Sequence, residues 1–453
     1  MRDDGARGHA VGGTRRLNSI VPAESELTPG PGEVSRLTER LFREEAGKLV
    51  ATLTRHFGVE HLQLAEDVVQ EALARALRLW PFYGVPNNPA AWLTQAAKNL
   101  ALDVIRRQKT FTGKEAAIAA WIEQATHDPA AAETGLDKNE IRDDRLRLLF
   151  VCCHPHLAQE AQVALALKTL GGFSTLEISK AFLSTEASIA KRLTRAKQRL
   201  RADGIPFEIP IGAELSVRLD AVLQTLYLLF NEGYKASGGE RLVREELCLE
   251  AIRMMTFLVE HPTGNQPPVH ALLALMLFNA ARLKTRSDAE GNLVRLEAQD
   301  RAKWNHELIS RGMTHLSRSA DGHDLSEYHL QAGIAACHCA AGDYPSTDWP
   351  QILALYDRLV HLDDSPVVAL NRAIAVANVH GPAAGMEAVN AIRDRNKLET
   401  YHLLHAVLGD FEERLGRNLS AAKSFRRAED LAHTKSERAF LEKRRRHCEA
   451  EAS

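Results

Sequence analysis

Hydrophobic positions along most of the chain recur every three or four residues, which is the spacing of an amphipathic helix, and strand-like alternation is scarce. The pattern predicts an all-α protein. Its helices fall into three blocks, which we expect to be domains, at 35–108, 140–203 and 211–447. The segments at 1–34 and 109–139 lack this periodicity, and we interpret them as a disordered tail and a polar linker.

The first block contains an amphipathic helix at 64–80. Its apolar positions are Leu64, Val68, Ala72, Leu73, Ala76, Leu77 and Trp80. The other face is polar and carries Glu66, Asp67, Gln70, Glu71, Arg75 and Arg78. The simplest interpretation of such a face is that solvent covers it.

A second helix, at 89–108, follows the helix-start signal Asn88-Pro89. One stripe is apolar and consists of Leu93, Ala97, Leu100 and Val104. A second stripe, about 120° away around the helix, consists of Trp92, Asn99, Asp103 and Arg106. An aromatic ring, an amide and a cation are suited to stacking on exposed bases and hydrogen-bonding to them. Packing in the core explains Trp92 equally well.

The second block contains two short helices joined by a tight turn. The first, at 173–182, begins with a capping box formed by Ser174 and Glu177. The second, at 186–202, can be capped by Ser184 or Thr185. Its inward positions are Ile189, Leu193, Ala196 and Leu200, and its outward positions are Ser188, Lys191, Arg192, Arg195 and Arg199. This arrangement predicts a helix-turn-helix whose second helix enters the DNA major groove; the alternative is a solvated basic face.

The third block ends with two similar helical units, at 370–392 and 404–432. Their offset of about 35 residues is close to the period of tetratricopeptide repeats. Such units stack into a solenoid with a concave binding surface. A plain helical bundle is the alternative.

Charge is distributed unevenly along the chain, whose formal net charge is −2. Residues 1–210 hold 28 Lys and Arg against 26 Asp and Glu, and residues 211–453 hold 29 against 33. The helix at 186–202 alone holds six basic residues and one acidic residue. A short basic helix in a neutral protein is the kind of patch that binds nucleic acid.

The cysteines and the absence of targeting signals suggest a cytoplasmic protein with reduced thiols. No run approaches the roughly 18 apolar residues of a membrane span, and no secretion signal follows Met1. Cys152, Cys153, His154 and His156 form a cluster, but adjacent cysteines are poorly spaced for zinc. We therefore expect a buried helix end there, and no metal or other cofactor. No nucleophile–base pair or phosphate-binding loop is visible, so we do not expect an enzyme.

The motifs together resemble the extracytoplasmic-function sigma factors of bacterial RNA polymerase. LAEDVVQEALARAL with PAAWLTQAAKNLALDVIRRQ is similar to sigma region 2, and LGGFSTLEISKAFLSTEASIAKRLTRAKQRLR is similar to region 4. LRLLFVCCHP, YLLFNEGYKAS, QDRAKW and SPVVALNRAIAVAN are similar to a subgroup with a tetratricopeptide-like C-terminal extension. The resemblance covers about 35 to 447.

The resemblance implies roles for matching positions. The implied partners are the core polymerase, through its β′ clamp helices and β flap, and promoter DNA; no membrane is implied. Contacts to the −10 promoter element would come from Trp92, Asn99, Asp103, Arg106 and Arg107. Contacts to the −35 element would come from Ser188, Lys191, Arg192 and Arg195. Contacts to core polymerase would come from Asp67, Gln70 and Glu71.

The extension is expected to regulate activity by packing on the sigma regions or by binding another protein. The candidate contact loop lies in NEGYKASGGER at 231–241 and includes Asn231, Glu232, Gly233 and Tyr234. A helix connector explains this segment almost as well. Two other classes of protein stay open: a one-component helix-turn-helix regulator with a helical sensor domain, and a tetratricopeptide adaptor whose basic helix is incidental.

Overall fold

A computed structural model describes residues 45–107, 138–182, 184–234, 243–288, 292–321 and 325–452. The described residues belong to one unit, Phe42–Ser453. The predicted tail and nearly all of the predicted linker lie outside them. Within the described ranges the named elements are helices, and β-pairing is limited to one antiparallel bridge between Ser287 and Leu293. The all-α prediction is confirmed.

We number the described helices in chain order. The first two blocks contain α1 (45–57), α2 (Leu62–Tyr83), α3 (Pro89–Arg107), α4 (Lys138–Cys152), α5 (Gln159–Thr169), α6 (Thr175–Ala181) and α7 (Glu186–Ala202). The third contains α8 (Ala213–Tyr234), α9 (Glu245–Glu260), α10 (Pro267–Ala281), α11 (His306–Ser319), α12 (Glu327–Ala340), α13 (Trp349–Leu362), α14 (Pro366–His380), α15 (Pro382–Asn390), α16 (His402–Arg414), α17 (Asn418–Leu431) and α18 (Lys435–Glu451). None of these helices is long and apolar enough to cross a bilayer.

Helices α2 and α3 pack against each other through predicted apolar stripes. The buried members of these stripes are Val68, Ala72, Ala76, Trp80, Leu93 and Ala97. Helix α3 begins as its sequence predicts, because the Asn88 side chain accepts a hydrogen bond from the backbone N–H of Ala91 at 3.0 Å and Pro89 takes the first helical position.

Two positions of α2 contradict the prediction made from its periodicity. Leu77 was expected in the core, but its side chain is 57% exposed. Glu66 was expected on the solvated face, but it is only 3% exposed. Periodicity identifies the side of a helix but not which further helices cover it. Here α5 and α7 of the second block contact Glu66.

Helices α6 and α7 form the predicted helix-turn-helix. Ser174 and Glu177 make both hydrogen bonds of a capping box at the start of α6. Thr185, rather than Ser184, caps α7 by accepting a hydrogen bond from the backbone N–H of Ser188 at 3.1 Å. The four inward positions of α7 are buried, and they hold this helix against α5 and α6.

Helix α8 packs directly on the second block. The Arg218 guanidinium, which is 4% exposed, donates a hydrogen bond to the carbonyl oxygen of Phe150 in α4 at 2.9 Å. Thr225 donates to the side chain of Gln162 in α5 at 2.8 Å. The Pro-punctuated stretch at 205–210 therefore joins two blocks that share a buried interface.

The C-terminal helices pack mainly against their neighbours in the chain. The two predicted repeat units correspond to α14 with α15 and to α16 with α17. Phe425 of α17 is 1% exposed and lies against Gly409 of α16, where an added Cβ would come within 2.8 Å of the ring. Small and large residues thus interlock between the two helices of the last unit.

This interlocking predicts that Gly409→Val destabilises the protein by about 1–3 kcal/mol, because the added methyl groups must displace the buried Phe425 ring. Gly342→Val is the matched control, since nothing lies within 4 Å of a Cβ at that position. Thermal unfolding followed by circular dichroism should show a lower melting temperature for Gly409→Val only. Equal melting temperatures for the two variants would contradict the packing.

Candidate nucleic-acid interface

Helix α7 presents one continuous polar face to solvent. Ser188, Lys191 and Arg195 are exposed, and Arg192 is half-buried. Thr185 fixes the first turn through its cap. Cations three or four residues apart on a helix of this length match the reach of a recognition helix across a DNA groove. The structure therefore brings together the four residues predicted for the −35 element.

Helix α3 presents a second polar face. Asn99 and Asp103 are exposed, and Asn99 accepts a hydrogen bond from Gln95 at 3.0 Å. Trp92 is half-buried, and its ring lies edge-on to Trp80 with 5.6 Å between centroids. Trp92 therefore packs in the core and still reaches the surface. The side chains of Arg106 and Arg107, also predicted for the −10 element, lie outside the described part of the structure.

The polar face of α2 is exposed at the three positions predicted for polymerase binding. Asp67, Gln70 and Glu71 lie on the surface. Arg78 donates a hydrogen bond to Glu71 at 2.8 Å and thereby lowers the pKa of that carboxyl group. Gln63 donates to Asp67 at 2.7 Å. Both carboxylates are thus held in place by side chains of the same helix, and Arg75 and Arg78 balance the charge of Glu71.

A buried ion pair connects this surface to α7. The Lys197 ammonium donates to the carboxylate of Glu66, and the two side chains are 11% and 4% exposed. Lys197 also donates to Gln63 at 2.7 Å, and Thr169 donates to Glu66 at 3.2 Å. Of the six cations in α7, Lys197 therefore faces the first block and not solvent.

Further contacts bring α1 against the second block. Arg55 lies 3.4 Å from Asp144, which is 1% exposed and also accepts from Arg147 at 2.8 Å. A Cβ on Gly47 would collide with the carbonyl oxygen of Leu170. The same carbonyl oxygen accepts a hydrogen bond from Arg253 of α9 at 2.9 Å. Three blocks of the chain therefore meet at Leu170.

Two exposed aromatic residues were missed by sequence reasoning. Phe82 and Tyr83, in the last turn of α2, are each 84% exposed. They lie at the end of α2, shortly before the chain enters α3. Exposed aromatic rings beside an amide-bearing helix are suited to base stacking. The run Trp80-Pro81-Phe82-Tyr83 was the available signal, since Phe82 lies about 200° around the helix from the buried Trp80.

The candidate regulatory residues Asn231, Glu232, Gly233 and Tyr234 are not in a loop. They form the last turn of α8, and the rest of that segment, from 235 to 241, lies outside the described residues. Glu232 is 9% exposed and pairs with Arg244 at 2.5 Å. A Cβ on Gly233 would lie 2.7 Å from the backbone nitrogen of Cys248. The expectation of a loop was therefore wrong at these positions, where close packing with α9 holds a helix.

The cysteine–histidine cluster is a buried helix end. Cys152 and Cys153 are fully buried free thiols, and burial raises the pKa of Cys153 to about 12. The His154 ring accepts a hydrogen bond from the backbone N–H of His156 at 3.2 Å, and burial lowers the pKa of His154 to about 4. Within the described ranges, no three His, Cys, Asp or Glu residues are grouped as metal ligands would be.

Comparison with known families identifies the class of the first block. Residues 41–111 match sigma-70 region 2, so this part of the chain is sigma-70-like. Residues 218–320 match a family of unknown function, DUF6596. No solved structure matches the chain.

Comparison with individual proteins extends the match over most of the chain. An uncharacterized protein of Rhizobium meliloti (strain 1021) is 40% identical over 404 residues, covering 89% of this chain and 93% of the relative. The chain belongs to the same family as this rhizobial protein.

Part of the chain is also similar to named sigma factors. The ECF RNA polymerase sigma factor SigG of Mycobacterium tuberculosis is 28% identical over 38% of this chain and 48% of its own length. The Probable RNA polymerase sigma factor RfaY of Xanthomonas campestris pv. campestris is 30% identical over 30% of this chain and 33% of its own length. The chain therefore matches about half of the first of these sigma factors and a third of the second.

The buried ion pair predicts a large effect of Lys197→Met. The substitution leaves the Glu66 carboxylate buried without its cation, which should cost about 3 kcal/mol. Arg201→Met, in the exposed last turn of the same helix, is the matched control. Thermal unfolding should show a drop of several degrees for Lys197→Met and almost none for Arg201→Met. Equal effects of the two substitutions would show that the pair does not hold the two blocks together.

Proposed function

We propose that this protein is an RNA polymerase sigma factor that binds core polymerase and directs initiation at a defined set of promoters. The observation that carries the proposal is that one chain joins a sigma-70 region 2 to a helix-turn-helix whose second helix exposes a basic face. A sigma factor makes no bonds itself. It works by adding sequence-specific DNA contacts to polymerase.

In this proposal, α3 and the end of α2 form the −10 surface. Asn99 and Asp103 hydrogen-bond to unpaired bases of the non-template strand, with Arg106 and Arg107 on its phosphates. Phe82 and Tyr83 offer stacking faces, and Trp92 supports the surface from Trp80. Stacking one base on an aromatic ring contributes about 1–3 kcal/mol, which offsets part of the cost of opening the duplex.

Helix α7 forms the −35 surface in this proposal. Ser188, Lys191, Arg192 and Arg195 meet base edges and phosphates in the major groove. The first turn reads Glu186-Ala187-Ser188-Ile189, where the family usually has a hydroxyl residue followed by Gly-Thr-Val. The N-terminal cap is nevertheless formed by Thr185. We therefore propose that this helix lies in the major groove as in the family, but that it prefers different bases.

The polar face of α2 is the proposed contact to polymerase. Asp67, Gln70 and Glu71 would meet the β′ clamp helices, and the second block would meet the β flap. The pairing of Glu71 with Arg78 and of Asp67 with Gln63 supports this role, because both carboxylates are ordered before a partner arrives. Ordered side chains lose less entropy on binding.

The third block is the proposed regulator. We propose that α12 to α17 are tetratricopeptide-like pairs and that the extension acts by packing on the sigma regions. The contacts of Arg218 with Phe150 and of Arg253 with Leu170 support this mode. The end of α8 at Asn231 to Tyr234 contributes through its buried packing on α9.

Geometry explains why holding the first and second blocks together would restrain initiation, and the extension contacts Leu170, where these blocks meet. Elements near −10 and −35 are about 25 base pairs apart, which is about 85 Å at 3.4 Å per base pair. Helix α7 has 17 residues and is about 25 Å long. It touches α2, which packs on α3. The two DNA surfaces must therefore separate before both elements can be bound at once.

An initiation assay tests the sigma function. Purified full-length protein is added to sigma-free core polymerase with a pool of genomic templates, and transcript 5′ ends are sequenced. We expect initiation at a few promoters, and a reduction of about tenfold for Arg195→Ala, because one good base contact contributes about 1–3 kcal/mol. Arg311→Ala, an exposed arginine in α11, is the control.

Two outcomes would contradict the sigma function. Absence of initiation at every promoter, with duplex binding in the absence of core polymerase, would favour the one-component regulator. Initiation at the same sites without the protein would show that the protein does not direct initiation there.

The regulatory part has a separate test in the same assay. Arg253→Gln removes the hydrogen bond from the extension to Leu170 and should loosen the closed arrangement by about 1 kcal/mol. We expect about fivefold more initiation at the same promoters, with Arg311→Gln unchanged. A folded Arg253→Gln variant with wild-type initiation would contradict regulation through this contact.

A further inference from the structure

A cavity of about 580 Å³ lies where the DUF6596 segment meets the repeat-like helices. Its walls come from α8, α10, α12, α13 and the first turns of α14, together with the turn that leads into α14. This volume is within the range of small-molecule sites, which occur preferentially between domains. No residue of this cavity belongs to the proposed DNA or polymerase surfaces. One of its residues, Tyr234, belongs to the candidate regulatory segment.

The cavity follows α12 along most of its length. Glu327 in the first turn, Gln331 in the middle and His338 in the last turn all line it. They are four and seven residues apart and therefore lie on one face of the helix. Eleven residues at 1.5 Å per residue place its two ends about 16 Å apart.

One end of the cavity is acidic. Glu327 and Asp363 both line it, and burial together with the neighbouring Asp363 raises the pKa of Glu327. Asp363 accepts a hydrogen bond from the backbone N–H of Ser365 at 3.0 Å. No described residue forms an ion pair with either carboxylate, and Glu327 makes no side-chain hydrogen bond among them. Two neighbouring carboxylates without a cation constitute a site for a positively charged group.

The other end is basic. The Arg282 guanidinium lines the cavity and lies 5.7 Å from the Trp304 ring centre, but no described residue accepts a hydrogen bond from it or pairs with its charge. His338 lies beside it, and its buried Nδ1 has no hydrogen-bond partner in the described chain. Burial and the nearby Arg282 lower the pKa of His338 to about 3, so its ring is neutral. A guanidinium with a neutral imidazole is a suitable receptor for a carboxylate.

The middle of the cavity is aromatic and apolar. Tyr227 and Tyr356 line it, and the Tyr227 hydroxyl donates to Gln331 at 2.8 Å. Ile334 and Ala335 complete the α12 side. Walls of this kind can accommodate an extended ligand with small side groups. They would distinguish such ligands mainly by length.

We propose that this cavity binds a linear oligopeptide of four or five residues with both ends free. Its ammonium group would lie at Glu327 and Asp363, and its carboxylate at Arg282 and His338. An extended chain rises about 3.3 Å per residue, so five residues span about 16 Å, which matches the distance between the two charged ends. The opposite charges fix the direction of the peptide.

Calorimetric titration of the full-length protein with pentaalanine tests the proposal. We expect saturable binding with a dissociation constant below about 100 μM. Pentaalanine with an acetylated amino end and an amidated carboxyl end should not bind measurably. This comparison needs no protein variant, and it does not depend on transcription, so its failure is distinct from failure of the sigma function.

Two substitutions test the two ends of the site. Arg282→Gln and Glu327→Gln should each weaken pentaalanine binding at least tenfold. The matched controls are Arg311→Gln and Glu307→Gln, which are exposed positions on α11 outside the cavity. Circular dichroism should show unchanged helicity in all four variants.

Three results would overturn the proposal. These are absence of saturable heat at millimolar pentaalanine, equal binding of the blocked peptide, and equal binding by the two cavity variants and their controls.

Discussion

The buried ion pair between Lys197 and Glu66 joins the two helical blocks that carry the exposed polar faces. Burying either charge alone would cost several kcal/mol, so each is tolerated only while the other is present. Gln63 and Thr169 satisfy further hydrogen-bonding capacity of the pair. The relative placement of α2 and α7 therefore depends on this contact, and with it the distance between the two proposed DNA surfaces.

The same pair changes how the charge of α7 is understood. Six cations in 17 residues suggest a uniformly basic helix. In the structure Lys197 is directed inward, and Arg199 pairs with Asp203 at 2.8 Å. The cations in the first ten residues of the helix, Lys191, Arg192 and Arg195, are the ones proposed to meet DNA. A net charge of −2 is compatible with this arrangement, because a few placed cations matter more than the total.

Features that depend on neighbouring residues were predictable from the sequence, and contacts between residues far apart in the chain were not. The cap at Asn88, the capping box at Ser174 and the buried face of α7 depend on residues within one or two turns, and the structure confirms all three. Glu66 depends on partners more than 100 residues away, so its pattern on α2 suggested only solvent. The segment at Asn231 suggested a loop because glycine usually interrupts a helix. At Gly233 the missing side chain instead allows α9 to approach.

The prediction that solvent covers the polar face of α2 was therefore correct in part. Asp67, Gln70 and Glu71 are exposed as expected, and the neighbouring Glu66 is the one that the second block covers. The −10, −35 and polymerase roles of these surfaces came from resemblance to a family. Their exposure makes the roles physically accessible, and the roles themselves stay predictions.

Helix α8 contacts both the second block and the cavity of the extension. Arg218 and Thr225 contact the second block, and Tyr227 and Tyr234, nearer the C-terminal end of the helix, line the cavity. It has 22 residues and is about 33 Å long. The close approach of Gly233 to Cys248 leaves little room for its end to move alone. A peptide in the cavity would therefore contact, at Tyr227, the same helix that holds the buried Arg218 contact with the second block.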